Sequence, residues 1–377
     1  MEALINHEIL RWARARARLS LGALAKSIGT AEDNVAAWED GVKRPSFVQA
    51  MSYAHYAHIP FGYLFLARPP EETLPLPDLR TVQGREPEYS LALKDTIRWA
   101  MERQDWYRDW LRSQGYEKCL VVGLVGVADG IQAAVSSMRT HLKLEGIPGK
   151  GSFDDYFSRL VQSIESVGIL VMRNSIVNNN TSRPLSVDEF RGFAMSDMLA
   201  PVIFINTADS PEARLFTLIH EISHVWIGSS GVSDADPSAN HREEIFCNAV
   251  AAEFLAPEKE FRALWKDRGD WRENLPDLTA RFHVSEWVIA RRALTCGFIT
   301  DAQYREFIAL KMALYKARGK TGAPPYSRLQ TGRISKTLAT AVTSEALSGR
   351  MLLRDAARLI GIRPHKIAEY SKKELGF

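Results

Sequence analysis

Apolar positions recur at helical spacing over most of this chain, and the places where that spacing breaks set out its elements. Residues 5–68 carry five short helical runs, at 5–17, 21–28, 31–40, 47–58 and 60–66. Ser20 is suited to cap the second run, Gly29 and Gly41 stop the second and third, and residues 43–46 read as a turn. A proline-rich stretch from Pro69 then reads as an extended connector. Residues 90–114 predict a long amphipathic helix carrying Trp99, Trp106 and Trp110, aromatics suited to packing. The pattern changes at residues 168–172 and 202–205, short apolar runs bounded by breakers that predict buried strands, with a further strand over 190–195. Helical spacing returns at 216–228, at 240–257 and through 274–315; a break at 319–325 precedes the last helices. Residues 228–231 and 234–237 between the first two read as turn chemistry.

The helix at 216–228 contains His220-Glu221-Ile-Ser-His224. At about 3.6 residues per turn, the two histidines stack on one face. Two neutral imidazoles so placed can hold one zinc ion, and Glu221 beside the first is positioned to act as a base toward water. Two histidines leave a zinc site short of its usual three protein ligands. The helix at 240–257 can pack back and offer a carboxylate. Glu244 lies twenty residues past His224, and Phe246, Val250 and Leu255 mark the stripe that would face inward with it. Glu243 points about 100° away on the same helix and is the next candidate.

The combination of His220-Glu-Ile-Ser-His224 with Glu244-x-x-Cys-Asn248-Ala-Val-Ala-Ala-Glu-Phe-Leu-Ala-Pro257 resembles the ImmA/IrrE family of metallopeptidases. The upstream segments at 165–171, 189–194, 201–206 and 214–217 resemble it too, so the likeness covers residues 125–262. It implies a cytoplasmic zinc endopeptidase with His220, His224 and Glu244 as metal ligands and Glu221 as base. It further implies a protein substrate, a helix-turn-helix repressor whose cleavage switches genes on. In peptidases of this kind substrate is held as an added strand on a sheet edge. Arg191 and Asn206 are candidates to line that edge, and His241, one turn before Glu244, is a candidate to steady an oxyanion.

Within residues 1–68, Leu24-Ala25-x-x-Ile28-Gly29, then Val35-x-x-Trp38-Glu39-x-Gly41-x-x-x-Pro45-Ser46, resembles the Xre/Cro repressor family. Were it to bind DNA, the helix at 31–40 would enter the major groove. Asn34 can read adenine, and Lys43, Arg44, Arg14 and Arg16 can meet phosphates. Eight Lys/Arg against six Asp/Glu in residues 1–70 make a weakly basic surface for that purpose, so a module that binds protein is the rival reading. The segment Pro77-Asp-Leu-Arg-Thr-Val resembles the connector of fused Xre–ImmA/IrrE proteins.

A net charge of +3 says little, but residues 303–377 hold fifteen Lys/Arg and five Asp/Glu. Such a tail suits nucleic acid or an acidic protein. Chains with this layout resemble regulators encoded beside toxin genes, which brings in a cognate toxin as a partner. No run of eighteen apolar residues is present, which excludes a helical membrane span, and the start of the chain lacks the apolar core of a secretory signal. Three isolated cysteines without a C-x-x-C suit a reduced cytosolic protein.

The expected architecture is multidomain and mainly α with a small mixed sheet. An all-α helix-turn-helix domain (1–68) is followed by a connector and long helix (69–124). An α+β zincin-like metallopeptidase domain (125–262) and a helical, basic C-terminal region (263–377) complete it. The expected function is cleavage of a specific regulator by a zinc-dependent endopeptidase holding one zinc ion. The alternative is a DNA-binding regulator or antitoxin that uses the peptidase fold as sensor or scaffold.

Overall fold

The computed structural model describes residues 4–70, 76, 89–144, 153–233, 242–317 and 332–376. The chain divides into two compact units, Met1–Pro75 and Leu76–Phe377. His241, most of the proline-rich connector with its 77–82 segment, the 234–237 turn and the break at 319–325 lie outside the described residues.

The first unit contains α1 (His7–Arg16), α2 (Leu21–Ile28), α3 (Glu32–Glu39), α4 (Phe47–Tyr56) and a 3-10 turn over Phe61–Phe65. These ends fall within about two residues of the sequence reading because local chemistry sets them. Ser20 accepts from the Ala23 amide, and Ser46 and Gln49 form a reciprocal capping box. Gly29 closes α2 at φ 79°, a left-handed conformation that Gly adopts at no steric cost. Leu10, Leu24, Val35, Trp38, Tyr53 and Leu64 form the core.

The second unit is built on a four-stranded mixed sheet of order β1-β3-β2-β4. Its strands are β1 (Leu170–Asn174), β2 (Gly192–Met195), β3 (Val202–Asn206) and β4 (Gly231–Ser233). β1 runs parallel to β3, while β2 is antiparallel to both β3 and β4. The last strand corrects the sequence reading. Gly228 does end a helix, at φ 72°, but Gly231, the last residue of the expected 228–231 turn, pairs with β2 together with residues 232–233. Three residues are too few to show a period, so only the partner strand defines them.

Against the sheet lie α7 (Phe153–Ser166) and α8 (Pro211–Ile227), while α6 (Ile131–His141), α9 (Arg242–Leu255) and α10 (Glu258–Leu264) add buried residues to the same core. Then follow α11 (Leu275–Phe282), α12 (Glu286–Thr295), α13 (Asp301–Ala317), α14 (Lys336–Leu347), α15 (Leu353–Ile360) and α16 (Ile367–Tyr370). The long helix α5 (Leu91–Ser113) is part of this body rather than a connector. Its Gln104 amide donates to the Met195 and Ala200 carbonyls, and Trp99 meets Phe204 of β3 edge-on.

The C-terminal helices join the same body. Arg333 O accepts from the Arg173 amide and so covers the outer edge of β1. The Glu165 carboxylate accepts from the first amides of α14, and Trp110 donates to Glu345. Buried polar side chains such as Gln104 carry these joins, which explains why hydropathy alone divided the region. Among the described residues no helix is long and apolar enough to cross a membrane.

Candidate metal centre

Helix α8 starts where Ser210 accepts from the Ala213 amide, with Pro211 in its first turn. From Leu215 to Trp226 nearly every residue is buried, so the helix runs through the interior and carries its polar side chains with it. Helix α9 packs along it, with Phe246, Cys247, Val250 and Leu255 buried and Glu243 exposed.

His220, His224 and Glu244 converge from these two helices, each fully buried. The Nε2 atoms of the histidines lie 3.1 Å apart. Glu244 Oε2 lies 3.2 Å from Nε2 of His220, and its Oε1 lies 2.9 Å from Nε2 of His224. Two N–H groups cannot face each other at such a distance, so at least one imidazole presents a lone pair inward. Burial lowers the His224 pKa, which favours the neutral form that ligates metal. For Glu244 burial works upward, but the two imidazoles outweigh it and hold the carboxyl well below its ordinary range. The result is an ionised carboxylate beside two imidazoles.

This donor set fits zinc. A tetrahedral zinc ion with bonds of about 2.0–2.1 Å separates its ligands by roughly 3.3 Å. The observed separations approach that value, and a His₂Glu set with a position left open is a catalytic rather than a structural arrangement. Glu243, the alternative third ligand, instead accepts from the Ser229 hydroxyl at the surface.

Glu221 is also fully buried, and among the described residues neither of its carboxylate oxygens makes a regular hydrogen bond, although Ser233 lies near enough to favour its charged form slightly. Burial raises its pKa well above the ordinary value, and the Glu244 charge adds to the rise. Left uncompensated, a carboxylate in this environment is costly, and a cation held by the neighbouring triad removes that cost.

Two further residues shape the centre. Gly192 on β2 faces α8 so closely that a Cβ there would lie 2.6 Å from Glu221 Oε1, 2.8 Å from Thr217 Cγ2 and 2.9 Å from the Phe204 carbonyl. Its lack of a side chain lets Glu221 lie over the sheet. Ser233, buried on β4, donates to Glu244 Oε1 at 3.4 Å. Gly192 was available to sequence reasoning as a glycine inside a strand, which marks close backbone approach. Ser233 carried no such signal.

The other candidates are placed as follows. Asn206 does not line the sheet edge: it is fully buried, its amide donates to Phe190 O, and its Oδ1 accepts from the Ala208 amide, so it holds the turn after β3. Arg191 precedes Gly192, and its guanidinium donates to Asp209 at 2.5 Å, which ties it to that same turn. In the first unit Arg14 is not available to phosphate. Its Nε and Nη2 donate to the two oxygens of Glu39, and its Nη1 donates to Leu19 O. Arg16 donates to His58 O and lies over Trp12. Asn34 donates to Thr30 and accepts from Lys43 at 3.4 Å, while Arg44 is exposed. Side-chain partners twenty or more residues away, such as Glu39 for Arg14, are invisible to local pattern.

A family model described as the IrrE N-terminal-like domain matches residues 164–294, which span the sheet, α8 and α9. A second, a domain of unknown function (DUF8813), matches residues 334–373, the helices from α14 onward. No curated protein matches the chain. Residues 164–294 are thus similar to the IrrE N-terminal-like domain, a metallopeptidase family, and within them lie the three residues that can hold a metal ion.

Proposed function

We propose that this protein is a zinc-dependent endopeptidase that hydrolyses a peptide bond in a specific regulator, most simply a helix-turn-helix repressor. The observation that carries the reading is the buried meeting of His220, His224 and Glu244 beside a carboxylate, Glu221, that makes no regular hydrogen bond among the described residues. His220, His224 and Glu244 would hold the zinc ion. Bound there, zinc supplies Lewis acidity toward a peptide carbonyl and toward water. Glu221 accepts a proton from the attacking water on a carboxylate oxygen and returns it to the leaving amide nitrogen. The sheet offers β4 as an edge on which an extended substrate can be added as a strand. The test is to mix purified protein with candidate helix-turn-helix proteins and to identify fragments by mass spectrometry. Zinc-dependent fragments that disappear in Glu221→Gln support the reading; fragments that persist in that variant overturn it.

A second reading is favoured by one observation on the first unit, whose helices resemble an Xre/Cro module by sequence. Val42, Phe47, Val48 and Met51 are exposed on and around α4, while Arg14 and Asn34 bond internally. That surface suits a protein partner, such as another helix-turn-helix chain or a toxin, at least as well as DNA. In this reading the protein acts as a regulator and the peptidase fold is its scaffold. Biological output would then survive Glu221→Gln and fail on disruption of the α4 surface, for example in Val48→Asp.

A further inference from the structure

A cavity of about 260 Å³ lies far along the chain from the metal centre's motif, at the seam between α5, the loop after β1 and the C-terminal helices. That volume is just below the roughly 300–1,000 Å³ of typical small-molecule sites. Its chemistry is unusual for a seam. Three guanidinium groups line it, from Arg103, Arg333 and Arg358, and two of them are buried, with Arg103 at 2 % and Arg333 at 6 % exposure.

The two buried ones are held by hydrogen bonds. Arg103 donates Nη1 to Trp99 O and Nη2 to Arg358 O, and its Cζ lies 4.0 Å from the centre of the Trp99 ring. Arg333 donates to Asn179 Oδ1, and Asn179 in turn donates to Gly361 O. Among the described residues Glu102 is the one carboxylate within 4 Å of Arg103, at 3.6 Å, and it is shared with Arg358 at 3.2 Å. Glu374 lines the cavity too, but it is exposed. Arg103, buried and held mainly by neutral carbonyls, carries positive charge that those carbonyls only partly offset. A planar fork positioned in advance is the arrangement that recognises carboxylate and phosphate oxygens.

We propose that this seam cavity binds a small anion bearing carboxylate or phosphate groups, with Arg103, Arg333 and Arg358 as its cationic contacts and the Trp99 and Tyr370 rings as walls. Such a ligand touches α5 and the C-terminal helices together, so its binding joins the region matched as a domain of unknown function to the rest of the unit. The inference does not depend on the peptidase reading.

The test is titration calorimetry on the full chain with succinate and, separately, with inorganic phosphate at matched ionic strength. Two variants accompany it. Arg358→Gln removes a largely exposed side chain that pairs with Glu102, and Ile362→Trp fills the cavity. The expected result is one-site saturation by at least one anion, about tenfold or more weaker in Arg358→Gln and lost in Ile362→Trp, with both variants melting near the parent. The anion that saturates identifies carboxylate or phosphate as the recognised group. Saturation by neither anion, or the same isotherm in the parent and in both folded variants, would overturn the proposal.

Discussion

The two units each bury a cluster of charged and polar side chains, and the clusters are finished differently. In the first unit Arg14 forks onto both oxygens of Glu39, and Tyr53 Oη lies 2.7 Å from Glu39 Oε1 and from the Leu10 carbonyl. Burial and the Glu39 charge raise the Tyr53 pKa, so the phenol stays protonated as a donor. Every charge in that network has its counterpart. In the second unit, among the described residues, the Glu221 carboxylate and the Nδ1 atoms of His220 and His224 have no hydrogen-bond partner. Nearly all buried polar groups in folded proteins are paired, so unpaired ones concentrate where function requires them. The first cluster fastens helices together; the second is arranged for something outside the chain.

That contrast can be broken experimentally, and the largest effect concerns the metal. His224→Ala and Glu244→Ala should each reduce bound zinc from about one per chain to near none, read by elemental analysis. Chelation should lower the melting temperature of the parent and leave these variants unmoved, since metal binding adds to folding free energy. Zinc lost in His224→Ala but retained in Glu244→Ala would transfer the third-ligand role away from Glu244.

Next in size is Glu221→Gln. Cleavage should fall by a factor on the order of 10²–10⁴ with zinc content kept. Metal-free protein should be about as stable as the parent, because burial and the Glu244 charge already hold the Glu221 carboxyl toward its neutral form, which Gln resembles. The matching change in the first unit should be destabilising. Glu39→Gln leaves Arg14 without its counter-charge and should cost about 2–4 kcal/mol, read as faster hydrogen exchange across residues 1–75 of the full chain. A stabilising Glu39→Gln would end the comparison.

A smaller effect is expected from Gly192→Ala. The new methyl meets Glu221, Thr217 and the Phe204 carbonyl at 2.6–2.9 Å. The expected cost is about 1–3 kcal/mol, with cleavage reduced and zinc retained. The smallest belongs to Ser233→Ala, which removes one long hydrogen bond to Glu244. It should cost about 1 kcal/mol and weaken zinc affinity modestly, measured by competition with a chelator.

The elements of the first unit were legible because local chemistry writes them. Ser20, Ser46, Gly29 and the helical spacing lie within a few residues of what they determine. The same holds for α8, whose His220-Glu221-x-x-His224 spacing places two imidazoles on one face whatever surrounds it. The choice of Glu244 over Glu243 was readable from the buried stripe of α9, since one residue turns a side chain by about 100°. The role suggested for Asn206 did not survive, because whether an amide faces an edge or closes a turn depends on strands that pair across the sheet.

By itself, then, the sequence determined the helices of the first unit, α5, α8 and α9, three of the four strands and the residues able to meet at a metal ion, all features set by neighbours along the chain, while α6, α7 and α10 were not read from it. The tertiary structure alone decided the rest. It recruited residues 231–233 as a fourth strand and brought Gly192 within reach of Glu221. It also assigned Arg14 to Glu39 and gathered Arg103, Arg333 and Arg358 around one cavity across 255 residues of chain. These depend on which surfaces pack together, and packing is settled by burial over the whole unit rather than by any local period.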